Sequence, residues 1–197
     1  IPSWIPTVML VIGSHLGTVV VFSAYGPGQA ASYFIAIAIF SAIDAIRNSL
    51  FSIAFPILSA MDDGRKKFVW RIIKMSTVIS LPITFAIIPY TSEVLGLIGP
   101  NYVQGSISLK IILLSIFPLG YLFGISTLVY SIGNYRHVFA IGIGTNLPRV
   151  LLYFILVPVY GSVGAALSFT TGSVIGFAIS ILVAKSIGME IFWRELA

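Results

Sequence analysis

Fifty-eight per cent of the 197 residues are hydrophobic and only 9% are charged, whereas soluble domains carry about 25% charged residues. A chain this apolar has too few polar residues to form a water-exposed surface around a folded core. The composition therefore excludes a soluble domain and predicts an integral membrane protein. The net charge of +5 does not indicate nucleic-acid binding, because the basic residues cluster beside the ends of apolar segments. The absence of cysteine excludes disulfides, thiolate metal sites and cysteine nucleophiles.

Six apolar segments are long enough to cross a bilayer as helices, so the predicted fold is all-α, an integral membrane six-helix bundle. No charged region precedes a short apolar core at the start, which argues against a signal peptide. Because the chain begins at Ile1 rather than Met, we expect it to be part of a longer protein. In chain order the predicted spans are about 4–23, 30–58, 69–90, 106–130, 138–157 and 164–185, followed by a cytoplasmic tail or linker over 187–197.

Turn signals separate these segments. The sequences YGPG at 25–28 and PVYG at 158–161 break the first and last pairs of helices, and a longer connection is expected over 91–105. Prolines inside the third, fourth and fifth segments are tolerated in membrane helices where neighbours satisfy the freed carbonyls. These prolines are Pro82, Pro118 and Pro148.

The distribution of Lys and Arg predicts the orientation of the chain. Basic residues follow the second, fourth and sixth segments, whereas the connections 24–29, 91–105 and 158–162 contain no Lys or Arg. Cytoplasmic loops carry the excess of basic residues. Both ends of the chain are therefore expected on the cytoplasmic side of the cell membrane, and an interfacial Trp193 is expected in a tail that also carries Glu190, Arg194 and Glu195.

Two charges lie in the middle of the second segment. Asp44 and Arg47 are three residues apart and share a helix face with Asn48. A charge at the bilayer centre costs roughly 2.5–3.5 kcal/mol, so such residues face protein or a watery cavity. The pattern favours a helix lining a polar interior, with the alternative that Asp44 and Arg47 only pair with each other or hold a neighbouring helix.

The fifth segment carries a second polar face. Asn146, Arg149 and Tyr153 follow i, i+3, i+7 spacing. One carboxylate cannot neutralise both Arg47 and Arg149 at mid-depth, and the surplus positive charge predicts an anionic ligand such as a phosphate group. The alternative is that Arg149 pairs with backbone carbonyls or with Asp44.

Other polar or small residues in the spans have simpler interpretations. His15 is either a proton-linked group or a hydrogen-bonding partner between helices, and Lys110 is expected to extend towards the membrane interface. A small residue recurs every fourth position of the sixth segment, which predicts close helix packing within the bundle or, alternatively, a dimer face. This stripe comprises Gly164, Ser168, Gly172, Gly176 and Ser180.

Signals of an enzyme are absent from the sequence, which has no paired-carboxylate motif, nucleophile elbow or phosphate-binding glycine loop. His15 and His137 are predicted at different depths, so a two-histidine metal site is not expected. The sequence therefore predicts neither enzymatic activity, nor a cofactor, nor a bound metal. A membrane-embedded transferase acting on a polyprenyl carrier would need a carboxylate or histidine pair at a membrane face.

Three blocks of sequence follow one another along the chain. The first is 31–36 (ASYFIA) followed by 55–59 (FPILS), the second is 97–102 (LIGPNY), and the third is 133–135 (GNY) with Asn146 and 158–166 (PVYGSVGAA). In this order and spacing the blocks resemble the polysaccharide flippases of the Wzx/RfbX type, within the multidrug/oligosaccharidyl-lipid/polysaccharide exporter superfamily. The resemblance extends over nearly the whole chain.

The resemblance implies a transporter with 12 or 14 helices in two lobes, of which this chain looks like the second. Relatives move a lipid-linked oligosaccharide across the membrane, with cavity arginines meeting its diphosphate. By this resemblance Arg47 and Arg149 would contact a polyprenyl-diphosphate-linked glycan, a missing N-terminal lobe would complete the cavity, and lobe motion would give alternating access. In an antiporter of the same superfamily, Asp44 would instead bind a coupling cation or proton.

Overall fold

The computed structural model describes residues 4–189, without the side chains of residues 4–7 and 10, and this part of the chain is helical with no strand. The predicted all-α class is confirmed. The tail residues Glu190, Trp193, Arg194 and Glu195 lie outside the described residues. In chain order the α-helices are α1 (Trp4–Ala60), α2 (Arg65–Ile87), α3 (Thr91–Ile98), α4 (Ser106–Leu113), α5 (Ile116–Ser131) and α6 (Tyr135–Ser186), with 3-10 turns at Ile88–Tyr90 and Pro100–Gly105.

The two longest helices each fold back on themselves at a glycine. Gly26 (φ 77°) interrupts α1 and Gly161 (φ 57°) interrupts α6, in the left-handed region that glycine adopts without a steric penalty. In a straight helix Arg149 and Gly172 would lie about 35 Å apart. A methyl group on Gly172 would instead lie 2.7 Å from Arg149 Cβ. Both helices are therefore hairpins, and their turns lie where the sequence predicts them.

The turns of the two hairpins meet at one end of the molecule. Tyr25 Oη donates a 2.9 Å hydrogen bond to the carbonyl of Pro158, and the backbone N–H of Ser162 donates to Gln29 Oε1 at 3.3 Å. The 3-10 turn Pro100–Gly105 also lies at this end, because the Gln104 amide donates to Ser32 Oγ at 2.8 Å. This end is called the turn end below.

Seven of the ten Lys and Arg of residues 4–189 lie in the segments at the opposite end. Arg65 Nη1 donates to the carbonyl of Ser131 at 3.4 Å, and Lys66 Nζ donates to the carbonyl of Gly188 at 3.0 Å. These bonds join the start of α2 to the ends of α5 and α6. The helix ends thus alternate between the two ends of the molecule. This second end is called the basic end below.

The region between α2 and α5 differs from the prediction. Residues 91–105 were expected as a connection, but they form α3 and a 3-10 turn. The predicted helix over 106–130 is divided into α4 and α5 by a break at Leu114 and Ser115, across which the helix axes bend by 47°. Pro118 accounts for the break, because it has no N–H to donate to the carbonyl of Leu114 four residues earlier.

Two hydrophobic clusters fill the interior and a polar layer lies between them. The cluster nearer the turn end contains Tyr33, Phe40 and Phe169, and the cluster nearer the basic end contains Phe51 and Ile125. Along α1, the layer lies after the residues of the turn-end cluster and before those of the basic-end cluster, whereas along the first half of α6 it lies after the basic-end cluster and before the turn-end cluster. The polar layer comprises Asp44, Arg47, Thr145, Asn146 and Arg149.

By length and composition, three helical stretches of the described chain could cross a membrane: Val11–Ala60, Arg65–Ile98 and Tyr135–Ser186. A fourth is added if the bent pair Pro100–Leu113 and Ile116–Ser131 is one span. The first and third are 50 and 52 residues long, more than twice the roughly 20 residues that one crossing needs. Their hairpin turns divide each into two shorter lengths. A membrane location is compatible with these helices.

Candidate functional site

A cavity of about 710 Å³ lies between the second half of α1, helix α5 and the first half of α6. Polar and aromatic side chains of all three helices line its wall. It extends from the polar layer towards the basic end, where Phe55, Tyr130 and Val138 line it. The polar lining comprises Ser14, Ser41, Asp44, Asn48, Ser52, Ser126, Thr127, Thr145, Asn146 and Arg149, and the aromatic lining comprises Phe40, Phe51, Phe55, Phe123, Tyr130 and Phe169.

Arg149 is the basic residue that the structure places in the cavity wall. It is only 3% exposed, and its guanidinium carbon lies 4.1 Å from the centre of the Phe169 ring. Nη2 donates to Ser173 Oγ at 2.9 Å and Nη1 to Asn146 Oδ1 at 3.4 Å, while Nε has no hydrogen-bond partner within the described chain. Each of these partners is neutral, so the charge of Arg149 is not compensated by a carboxylate among residues 4–189.

Arg47 does not line the cavity, which corrects the expectation that both guanidiniums point into it. It is 1% exposed and forms an ion pair with Asp44. Nη1 donates to the carbonyl of Ile116 at 3.2 Å, and the guanidinium carbon lies 4.9 Å from the centre of the Phe123 ring. Ile116 begins α5 directly after the helix break, so Arg47 holds the broken region against α1. The observed contacts thus match the alternative interpretation of the sequence, in which Asp44 and Arg47 pair with each other and hold a neighbouring helix, here α5.

Asp44 and Asn48 present the polar face of α1 to the cavity. Asn48 Nδ2 donates to Asp44 Oδ2 at 2.9 Å, and the other carboxylate oxygen pairs with Arg47. The side chain of Asp44 is 13% exposed, compared with 1% for Arg47. The negative charge therefore borders the cavity, and its positive partner lies behind the wall.

The three polar residues of α6 share an inward face, as their spacing predicts, but only two of them line the cavity. Asn146 and Arg149 belong to the lining, whereas Tyr153 is fully buried and donates to the carbonyl of Gly13 at 2.9 Å. Tyr153 thus joins the first half of α1 to the first half of α6. His15 is exposed on α1 and is not part of the lining, so the structure does not bring it together with Asp44.

Gly172 makes room for Arg149, because a methyl group at this position would lie 2.7 Å from Arg149 Cβ. A methyl group on Gly120 would lie 3.8 Å from Arg47 Cδ, which is an ordinary contact, so Arg47 does not require a glycine there. All five members of the small-residue stripe of α6 are buried. Gly172 and Gly176 pack against Thr145 on the other arm of the hairpin, so the stripe packs helices within the chain.

Sequence reasoning missed the aromatic residues that stack on the guanidiniums. Phe123 and Phe169 look like ordinary core residues, because nothing in their local sequence indicates which arginine each will face. Ser173 was missed for the same reason. The one available signal was its position, one residue after Gly172 in the small-residue stripe, where a hydroxyl reaches the facing helix.

The arrangement can bind a polar or anionic group at mid-height while an apolar part lies against phenylalanine and tyrosine rings. Among residues 4–189, no three His, Cys, Asp or Glu side chains come together as metal ligands. His137 hydrogen-bonds Ser186 at 3.1 Å near the basic end, and Lys110 is exposed near the turn end. Comparisons with protein-family models, with curated proteins and with solved structures each found no match.

Proposed function

We propose that this chain is one lobe of a membrane transporter that moves lipid-linked oligosaccharide or polysaccharide precursors across the cytoplasmic membrane. In this proposal each arm of the two hairpins crosses the bilayer, as do α2 and the bent pair α4 and α5, which gives a bundle of six crossings with both ends cytoplasmic. A second lobe of the same protein would close the cavity, and rocking of the lobes would open it to each side in turn.

The observation that carries the proposal is the uncompensated charge of Arg149 in the cavity wall. Asp44 is already neutralised by Arg47, so the three charges of the polar layer sum to one positive charge beside the cavity. Burying an unpaired guanidinium costs several kcal/mol unless a ligand or another group compensates for it. The Nε–H of Arg149 is buried beside Gly172 without a hydrogen-bond partner among residues 4–189. An anionic ligand in the cavity would therefore compensate for the charge by hydrogen bonds to the Nη atoms of the guanidinium.

A diphosphate-linked glycan fits this chemistry on three counts. Its diphosphate would accept hydrogen bonds from Arg149, its sugars would meet the hydroxyl and amide groups of Ser41, Asn48 and Asn146, and its lipid tail would stay in the bilayer. The resemblance of the sequence blocks to the Wzx/RfbX flippases supports the same substrate class. The proposal is for transport and not for catalysis, and it involves no cofactor.

The test is Arg149→Ala and Arg149→Lys in the full-length protein, with export of surface glycan as the measurement. We expect Arg149→Ala to reduce export at least tenfold, because the loss of a charged hydrogen bond is worth about 1.5–3 kcal/mol. Arg149→Lys should retain part of the activity, since it keeps the charge but loses the planar donor pair. Lys110→Gln is the control, because it removes an exposed cation far from the cavity. Unchanged export by Arg149→Ala at normal expression would refute the proposed role.

A second candidate is a cation or proton-coupled antiporter of the same superfamily. The placement of Asp44 favours it, because Asp44 and not Arg47 borders the cavity and is partly exposed there. In that case Asp44→Asn would abolish coupling, and Arg149→Ala would leave transport of an organic cation intact. Measuring the two variants against both substrate classes separates the candidates.

A further inference from the structure

The two ends of the molecule differ strongly in charge. At the basic end, residues 61–75, 131–137 and 183–189 contain seven Lys or Arg and two Asp, whereas at the turn end residues 23–32, 88–110 and 156–164 contain one Lys and one Glu. The asymmetry is therefore a net charge of +5 at one end and zero at the other. The cations of the basic end come from distant parts of the sequence that the fold assembles. They are Arg65, Lys66, Lys67, Arg71, Lys74, Arg136 and Lys185.

Six of the seven cations of the basic end fall into two groups, and the seventh, Lys74, lies over the Trp70 ring with Nζ 5.9 Å from its centre. Arg65 and Lys66 are occupied by backbone carbonyls, since Arg65 donates to Met61 at 2.6 Å and to Ser131, and Lys66 donates to Gly188. They join the helix ends and fix their relative position. Four other side chains are exposed and form no ion pair or hydrogen bond within residues 4–189. These are Lys67 and Arg71 of α2, and Arg136 and Lys185 at the two ends of α6.

The outward face of α2 indicates what kind of anion the exposed cations of the basic end bind. Lys67 and Arg71 are followed on the same face by Met75, Val78 and Phe85, because steps of four, three and seven residues keep side chains on one side of a helix. Met75, Val78 and Phe85 are 47%, 70% and 66% exposed. The face is thus cationic for its first turns and apolar for the next 15 Å or so. A phospholipid has the same order, with an anionic headgroup above an acyl chain.

We propose that the basic end binds the headgroups of anionic phospholipids through Lys67, Arg71, Arg136 and Lys185, with the acyl chains lying along the exposed apolar face of α2. A soluble phosphate would account for the cations but not for the apolar continuation below them. The proposal needs the bilayer part of the proposed function but not transport, and none of the four cations lines the cavity. Cations beside an anionic leaflet each contribute about 1 kcal/mol to its binding, which is about fivefold.

The test uses the purified full-length protein in detergent with equal amounts of phosphatidylglycerol and phosphatidylcholine, and native mass spectrometry counts the lipids that remain bound. We expect the protein to retain phosphatidylglycerol over phosphatidylcholine. A variant with Lys67→Gln, Arg71→Gln, Arg136→Gln and Lys185→Gln should lose this preference, and Arg71→Gln alone should reduce it about fivefold. Salt should weaken the preference in the unmodified protein, since exposed charges are screened.

Two controls keep the result specific. Lys110→Gln removes an exposed cation near the turn end and should leave the preference unchanged. A charge-conserving variant with Lys67→Arg, Arg71→Lys, Arg136→Lys and Lys185→Arg should retain it. Equal retention of both lipids by the unmodified protein, an unchanged preference in Arg71→Gln, or full displacement of phosphatidylglycerol by inorganic phosphate would each overturn the proposal. Glycan export is measured on the same variants, so failure of the lipid site and failure of the proposed transport are distinguished.

Discussion

The pair Asp44 and Arg47 permits a quantitative test of how the polar layer is held together. Arg47→Met keeps most of the side-chain volume but removes the ion pair, the 3.2 Å hydrogen bond to Ile116 and the contact with the Phe123 ring. Removing one partner of a buried pair leaves the other charge uncompensated and costs about 3–5 kcal/mol. Because Asp44 is 13% exposed to the cavity, we expect a value near 3 kcal/mol.

The double variant decides whether the pair acts as a unit. Asp44→Asn alone should also destabilise the protein by about 3 kcal/mol, because it leaves the guanidinium of Arg47 buried without a counter-charge. Asp44→Asn combined with Arg47→Met leaves neither charge, and replacing a buried pair by neutral groups is often close to neutral. We therefore expect the double variant to lose about 1 kcal/mol or less, far from the sum of the single losses.

The free energy of unfolding is measured by titrating the purified protein from mild detergent into a denaturing detergent, with helical circular dichroism as the signal. Lys110→Met serves as the matched control and should change the free energy by less than about 0.5 kcal/mol, since Lys110 is exposed. Additive losses in the double variant would refute the coupling. A loss below about 1 kcal/mol for Arg47→Met would show that the guanidinium does not hold α5 to α1.

Two further substitutions test the packing around the cavity. Gly172→Ala should destabilise the protein by about 1–3 kcal/mol and displace Arg149, because its methyl group would lie 2.7 Å from Arg149 Cβ. Gly28→Ala is the control, since no atom lies within 4 Å of the added methyl group. Equal losses of stability in the two variants would contradict the close packing of Gly172 against Arg149. Tyr153→Phe should lower the free energy of unfolding by about 0.5–1.5 kcal/mol through loss of one buried hydrogen bond. Tyr25→Phe should lower it by less, because Tyr25 is 41% exposed. A larger loss for Tyr25→Phe than for Tyr153→Phe would argue against the buried hydrogen bond.

The helices and turns were predictable from local sequence, because they depend on local chemistry. The glycines at 26 and 161 adopt positive φ within the predicted turns. The break before Pro118 was harder to place, because a proline disturbs the carbonyl four residues earlier and not its own position. The helical conformation of residues 91–105 was missed because their polar and glycine residues are typical of loops.

The positions of the two arginines could not be predicted to the same degree. Spacing places Asp44 beside Arg47, and Asn146 beside Arg149, but it does not say which side of each helix faces the cavity. That side is fixed by partners far away in the sequence, such as Ile116 for Arg47 and Ser173 for Arg149. The prediction of surplus positive charge in the interior needed only the count of one Asp and two Arg in the middle of the spans. It therefore did not depend on which partners the two arginines contact.

The hydrogen bonds between the two hairpin turns have a mechanical consequence. Tyr25 to Pro158 and Gln29 to Ser162 fasten α1 to α6 at the turn end, whereas the cavity separates the same two helices towards the basic end. A relative movement of the two hairpins that keeps both hydrogen bonds would therefore be a rotation about the turn end. Such a rotation would change the width of the cavity more beside Phe55 and Val138, near the basic end, than beside Arg149.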